Sequence, residues 1–204
     1  MDQKKIGIMG GTFDPIHNGH LILAEHSRIN FGLDEVLFIP TGNPPHKDED
    51  GISSDIHRYN MTLLAIETNP YFNISTMEME RQGNTYTIDT IRQLQEEYPS
   101  VDFYFILGSD SFSNIDRWKD YMKLVTLCEF IILKRSGTGE DGELDMRVRE
   151  FNRRYNSSFH ILNAPNIEIS STGIRNNIGM GLSIKYLVPE GVEAYIERER
   201  LYEG

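Results

Sequence analysis

Short apolar runs alternate with amphipathic stretches along the chain, and this alternation predicts the elements. Ile6 to Met9 reads as a first strand, and Asn18 to Phe31 as a helix with Gly32 as its C-terminal stop. Glu35 to Ile39 is a second strand, ended by Pro40. Asp55 to Thr68 reads as a helix, with Asp55 as its cap and Met61, Leu64 and Ala65 on its apolar face. Phe72 to Met79 is extended, and Thr87 to Tyr98 is helical, stopping before Pro99. Val101 to Leu107 and Glu129 to Leu133 are strands, Asp145 to Tyr155 a helix, and Phe159 to Leu162 a short strand. Ser171 to Ile178 and Pro189 to Arg198 close the chain as helices, the second with proline in its first turn. Strand–helix alternation of this kind predicts an α/β fold, a doubly wound, mostly parallel sheet with a small C-terminal helical part. No repeat or linker composition divides residues 1–204, so one domain is expected. Two polar loops stand out, 41–54 and 136–143, the second expected as mobile surface.

Composition narrows the class. Of 204 residues, 39% are hydrophobic and 25% charged, the balance of a globular domain with a full core. No apolar run approaches the roughly 20 residues that span a bilayer. The N-terminus leads straight into a strand with no signal-peptide pattern. One cysteine, Cys128, excludes an internal disulfide and a multi-cysteine metal site, and its apolar setting predicts a buried structural thiol. These features point to the cytoplasm. The net charge of −11 argues against a general nucleic-acid binder, which needs a basic footprint. An acidic chain can still bind anions where its few cations converge.

That convergence is legible in four segments, each beyond the C-terminal end of a predicted strand or at a helix start. The first is Gly10 to His20, GGTFDPIHNGH. A strand, a small-residue turn and a helix bring backbone N–H groups and a positive helix end toward an anion. His17 and His20 stand three apart at that entrance, read as exposed and as cationic or hydrogen-bonding imidazoles. The second is IPTGNPPHK, from Ile39 to Lys47, and the third LGSD, from Leu107 to Asp110. The fourth, ISSTGIR from Ile169 to Arg175, combines hydroxyls, a helix start and a guanidinium into a phosphate trap. Alone, it reads as an N-cap followed by a surface arginine.

GGTFDPIHNGH resembles the signature of the nucleotidyltransferases marked by a T/HxGH motif, which implies a Rossmann-like fold and attack on the α-phosphate of a nucleoside triphosphate. With IPTGNPPHK, LGSD and ISSTGIR beside it, the chain resembles the bacterial nicotinate-nucleotide adenylyltransferases from Ile6 to Tyr202. Further matches are Thr85 to Thr90, Asp116-Arg117-Trp118 and Arg135-Ser136-Gly137. The resemblance implies transfer of AMP from ATP to nicotinate mononucleotide, giving nicotinate adenine dinucleotide and pyrophosphate. It assigns His17 and His20 to catalysis at the α-phosphate. It assigns Gly10, Gly11 and Thr12 to the phosphate cradle, Ser171, Thr172 and Arg175 to the leaving phosphates, and Gly108, Asp110 and Arg135 to the rest of ATP. Lys47 would hold the mononucleotide phosphate, Thr85 the pyridine carboxylate through backbone N–H groups, and Trp118 the ring by stacking. Mg²⁺ would bridge triphosphate and water without a dedicated protein metal site. His46, His57 and Arg58 are weaker polar candidates, and His26 and His160 read as structural or surface residues. The arginines of 145–155 are interleaved with acids and read as a solvated face.

Partners expected on this reading are ATP and nicotinate mononucleotide, with no nucleic acid and no membrane. A homodimer is compatible with it. Competing readings are a pantetheine-phosphate adenylyltransferase or cytidylyltransferase, a class I aminoacyl-tRNA synthetase core, and a catalytically silent nucleotide sensor. The ISSTGIR and Thr85–Thr90 segments weigh against the first. Acidity and the lack of a KMSKS-like loop weigh against the second. The full set of histidines, lysine and arginine weighs against the third.

Overall fold

The computed structural model describes residues 3–42, 52–135 and 141–203. Six strands, β1 (Lys4–Gly11), β2 (Glu35–Pro40), β3 (Phe72–Ile74), β4 (Val101–Gly108), β5 (Glu129–Arg135) and β6 (Ser158–Ala164), form one sheet. Its order is β3-β2-β1-β4-β5-β6, and every neighbouring pair is parallel. The helices are α1 (Asn18–Phe31), α2 (Asp55–Ile66), α3 (Thr87–Glu97), α4 (Ser109–Ser113), α5 (Tyr121–Leu124), α6 (Asp141–Tyr155), α7 (Ser171–Gly179) and α8 (Glu190–Glu199). This is the expected Rossmann-like, doubly wound architecture. Strand order reverses between β1 and β4, so their connections leave on opposite faces and open a crevice beyond the strand ends.

The strands look uniformly apolar in sequence, as strands buried on both faces should. Their side chains nevertheless divide with period two. Tyr104 and Ile106 of β4 and Ile131 and Leu133 of β5 join one core with Met61, Ile174 and Val192. Phe103, Phe105 and Leu107 of β4, with Phe130 and Ile132 of β5, join the other with Ile91, Phe112 and Phe159. Helices α1, α2, α7 and α8 therefore cover one face, and α3 to α6 the other. Gly32 ends α1 in the left-handed region, φ 60°, which costs a glycine little.

Several boundaries differ from the sequence pattern. Ser54, not Asp55, is the residue before α2, and Asp55 lies in the first turn, where it pairs with Arg58. Pro189 precedes α8 rather than sitting within it. The extended segment expected over 72–79 pairs only through Ile74, and residues 77–80 turn back. Helix α6 begins four residues before the predicted Asp145, taking in 141–143 of the polar loop. The rest of that loop, 136–140, lies outside the described residues, as does 43–51 of the other. Between β4 and β5 the chain makes α4, a 3₁₀ turn at Ile115–Arg117 and α5, none of them predicted. Pieces of five, three and four residues are too short to display helical periodicity. Cys128 is half-buried in the second core, and burial pushes its thiol above the ordinary range, as expected of an inert cysteine. His26 bonds Asn163 O at 2.9 Å and His160 bonds Glu129 at 2.7 Å, which makes both structural. Arg147 donates to Ser113 O and lies over the Phe112 ring.

Candidate active site

A cleft of about 950 Å³ opens beyond the C-terminal ends of β1, β2 and β4. That is at the upper end for small-molecule sites, with room for more than one ligand. Its floor is the turn after β1, with Gly10, Gly11 and Thr12 on the wall, and α1 starts directly behind it. Helix α7 brings Ser171, Thr172 and Arg175 to the same cleft. Gly108 closes β4, and Thr85 and Trp118 stand on the wall toward α3.

His17 is the N-cap of α1, and His20 is its third residue. The rings stack at 3.7 Å, 19° apart, and His20 meets the edge of Phe13 at 5.1 Å. His20 Nδ1 accepts the His17 backbone N–H at 3.3 Å, so a histidine does here what an acidic residue does in a capping box. The exposed entrance expected from sequence is corrected: His17 is only 6% exposed. The segment before α8 covers the helix start, since Asn18 N–H donates to Leu187 O and Asn18 Nδ2 to Tyr186 O. Burial lowers the His17 pKa to about 4, opposed weakly by a backbone hydrogen bond. Burial, and then repulsion from His17, lowers His20 to about 3. Both rings are therefore neutral near pH 7 in the free protein, and the cationic option falls away. His17 Nδ1 is buried against the first turn of α1, beside Gly19, with no hydrogen bond of good geometry there.

Depressed histidine values have a consequence for stability. The unfolded chain binds protons at these residues below about pH 6.5, while the fold resists them down to about pH 4 at His17 and about 3 at His20. The unfolded state holds more protons in that window, so stability falls as pH drops through it. Glu78, raised by burial, acts in the opposite direction. Melting temperature between about pH 7 and about pH 5 should therefore fall in the unmutated protein and fall less steeply in His17→Gln. Parallel slopes would show that His17 titrates normally in the fold.

At α7 the hydroxyls divide their work. Ser170 Oγ accepts Gly173 N–H at 3.1 Å, a simple N-cap. Ser171 Oγ donates to Pro15 O at 2.9 Å, so this residue ties α7 to the motif turn, and its hydroxyl hydrogen is already committed. Arg175 Nη1 donates to Asp14 O at 2.7 Å and Nη2 reaches Thr172 Oγ1 at 3.4 Å. About a third of the Arg175 side chain stays exposed toward the cleft.

One expected residue is not on the described wall, and two fall outside what is described. Asp110 is exposed on the first turn of α4, where Ser111, not predicted, lines the cleft instead. Lys47 lies outside the described residues, and so does the side chain of Arg135. Trp118 is half-buried, edge-on to Phe105 at 6.0 Å, and presents part of itself to the cleft. It is thus both rim aromatic and wall. Two buried carboxylates were not foreseen. Asp14 accepts from Tyr202 Oη at 2.6 Å, and Glu78 from Thr90 Oγ1 at 2.7 Å and from Thr85. Among the described residues no three histidine, cysteine or carboxylate side chains are grouped to hold a metal. No described helix is long and apolar enough to cross a membrane.

Comparison with known proteins follows the same lines. The Cytidylyltransferase-like family matches residues 8–177. A probable nicotinate-nucleotide adenylyltransferase of Thermoanaerobacter sp. (strain X514) is 44% identical over 201 residues, covering 98% of this chain and 95% of its own. One from Desulfitobacterium hafniense (strain Y51) is 43% identical, covering 98% and 96%. Among solved structures, Plasmodium falciparum nicotinic acid mononucleotide adenylyltransferase complexed with NaAD superposes with a TM-score of 0.77 at 26% identity, covering 98% of both chains. The same protein complexed with APC gives 0.77 at 25%.

Proposed function

This chain belongs to the cytidylyltransferase-like family and to the nicotinate-nucleotide adenylyltransferases among them, and from that membership we propose that it transfers AMP from ATP to nicotinate mononucleotide in NAD biosynthesis. The observation that carries this reading is the convergence of two helix starts on one cleft. His17 and His20 stand at α1, and Thr172 and Arg175 at α7. The 5′-phosphate of the mononucleotide attacks the ATP α-phosphorus in line. A new phosphate–oxygen bond forms as the bond to the β-phosphate oxygen breaks, and pyrophosphate leaves with that electron pair. The nucleophile is already an anion, so neither a protein base nor a covalent intermediate is required. Catalysis rests on positioning and on spreading charge.

Neutral imidazoles serve this as N–H donors to the α-phosphate, and an incoming triphosphate makes their protonation easier. Thr12 and the Gly10–Gly11 backbone cradle that phosphate, with Thr172 and Arg175 on the leaving pair. Ser171 acts through Pro15 by holding the turn against α7. Gly108, Asp110 and Arg135 are assigned to the nucleoside end, with Ser111 beside them, and Lys47 to the acceptor phosphate. A divalent cation fits this donor set if it arrives on the triphosphate, because Asp14 and Glu78 are both engaged with hydroxyls. Such an ion would be Mg²⁺, held by phosphate oxygens and water, and it would neutralise charge on the leaving group. Residues 1–204 are taken as one nucleotidyltransferase domain working in the cytoplasm, with no nucleic-acid or membrane partner. Pyrophosphate release, measured with ATP and a panel of mononucleotide acceptors, tests the reading; release with another acceptor alone would reject it.

The two phosphate assignments are separable. A charge-assisted hydrogen bond is worth about 1.5–3 kcal/mol. Arg175→Ala should therefore weaken binding of an ATP analogue by roughly tenfold to a hundredfold and spare the mononucleotide. Lys47→Ala should do the reverse. Calorimetry showing the opposite pattern would exchange the two sites.

A further inference from the structure

Arg58 is the largest fully buried side chain among the described residues, 1% exposed, on a helix face otherwise made of Met61, Thr62, Ala65 and Ile66. Burying a guanidinium is costly, and its one carboxylate partner among the described residues, Asp55, is itself half-exposed. A methionine would complete this stripe without that cost. The guanidinium instead reaches backbone carbonyls on three segments. Nη1 donates to Thr12 O at 2.9 Å, Nε to Ser53 O at 3.1 Å and Nη2 to Gly42 O at 3.4 Å.

Each of these contacts continues into the cleft. Thr12 lines it. Gly42 lies flat against Glu78, where an added Cβ would stand 2.1 Å from the Glu78 carbonyl oxygen. Glu78 lines the far wall and holds Thr90. The Ser53 peptide is gripped from both sides, its oxygen by Arg58 and its N–H by Asp14 Oδ2 at 3.3 Å. The Asp14 carbonyl in turn takes Arg175. One path of contacts thus joins the phosphate turn, the β2 exit, the Glu78 wall and α7, with Arg58 at its branch point.

We propose that Arg58 is a positioning residue for the adenylyl transfer proposed above, fixing the ATP side of the cleft relative to its acceptor side. Arg58 itself does not line the cleft. Rate depends on holding the reacting phosphates in near-attack geometry, and a displacement of about 1 Å can cost about a hundredfold.

The test uses Arg58→Lys, which keeps the charge but cannot span three carbonyls, and Gly42→Ala, which keeps Arg58 but forces Gly42 off Glu78. Folded fraction is followed by circular dichroism, and kcat and both KM values are expressed per folded molecule. Both variants should lose about tenfold to a hundredfold in kcat and raise KM for ATP and for the mononucleotide. Values within about twofold of the unmutated protein in either folded variant would overturn the proposal. So would a loss that matches the unfolded fraction, because a purely structural arginine lowers the number of active molecules and not their kcat. Affinity for a non-hydrolysable ATP analogue is measured on the same proteins without any acceptor. If the unmutated protein failed with nicotinate mononucleotide, the acceptor assignment would fall. The analogue would still decide on Arg58: weaker binding in both variants supports its role, and unchanged binding overturns it.

Discussion

His20→Ala is expected to lower kcat by about a hundredfold or more, the loss that follows removal of one preorganised donor to a developing oxyanion. Geometry sharpens the reason. His20 is stacked on His17 at 3.7 Å and set edge-on against Phe13, so its orientation is fixed before substrate arrives. Burial and the neighbouring imidazole keep it neutral, and it therefore enters the reaction as a donor with no counter-ion to shed. The sequence alone suggests that melting temperature would barely move. The structure revises this, because His20 Nδ1 accepts the N–H of His17 at the α1 start. Loss of a cap costs about 0.5–2 kcal/mol, and each kcal/mol is about 2–4 °C in a chain of this length. A drop of a few degrees should accompany the loss of rate. His20→Asn, which keeps an acceptor near that N–H, should recover part of the melting temperature and little of the rate. Near-normal turnover in folded His20→Ala would remove the residue from the mechanism.

That revision shows where the sequence was legible. Long apolar strands, the bounds of α1 and the described cleft-facing parts of the four segments follow from local pattern, because a stop glycine, a proline or a period-2 run is written in adjacent residues. Burial of His17 is not, since the cover over α1 comes from residues 186 and 187. Asp14 is likewise satisfied from afar, by Tyr202 near the other end of the chain. Arg58 did leave a trace. It shares a face with Met61, Thr62 and Ala65, and a charge on an apolar stripe signals a buried partner. What sequence could not supply was the partner, Thr12, 46 residues away. Glu78 left less, because its segment reads as a continuing strand, and only the short pairing of β3 turns it inward.

Acceptor choice should show the largest effect of all. Nicotinate mononucleotide is expected to exceed nicotinamide mononucleotide in kcat/KM by about 10⁴-fold or more, as when a site built for one hydrogen-bonding group rejects its mismatched analogue. The two differ only in a pyridine carboxylate against a carboxamide. On the reading proposed here, backbone N–H groups near Thr85 and in the segment after α4 face that substituent. A carboxylate accepts from all of them, whereas an amide NH₂ meets them as a second donor and leaves them unpaired. Glu78 is the buried acceptor on this wall that could rescue the amide. Its carboxylate already accepts from Thr90 at 2.7 Å and from Thr85, so reaching an NH₂ would mean turning away from those hydroxyls or sharing itself with them. Trp118 would stack on either ring and cannot tell them apart. Trp118→Ala should therefore raise KM for both acceptors and mostly preserve their ratio, with a melt to check the loss of its contact on Phe105. Comparable kcat/KM values for the two mononucleotides in the unmutated protein would refute the carboxylate pocket. They would mean that Glu78 turns toward the substrate and that the enzyme accepts both.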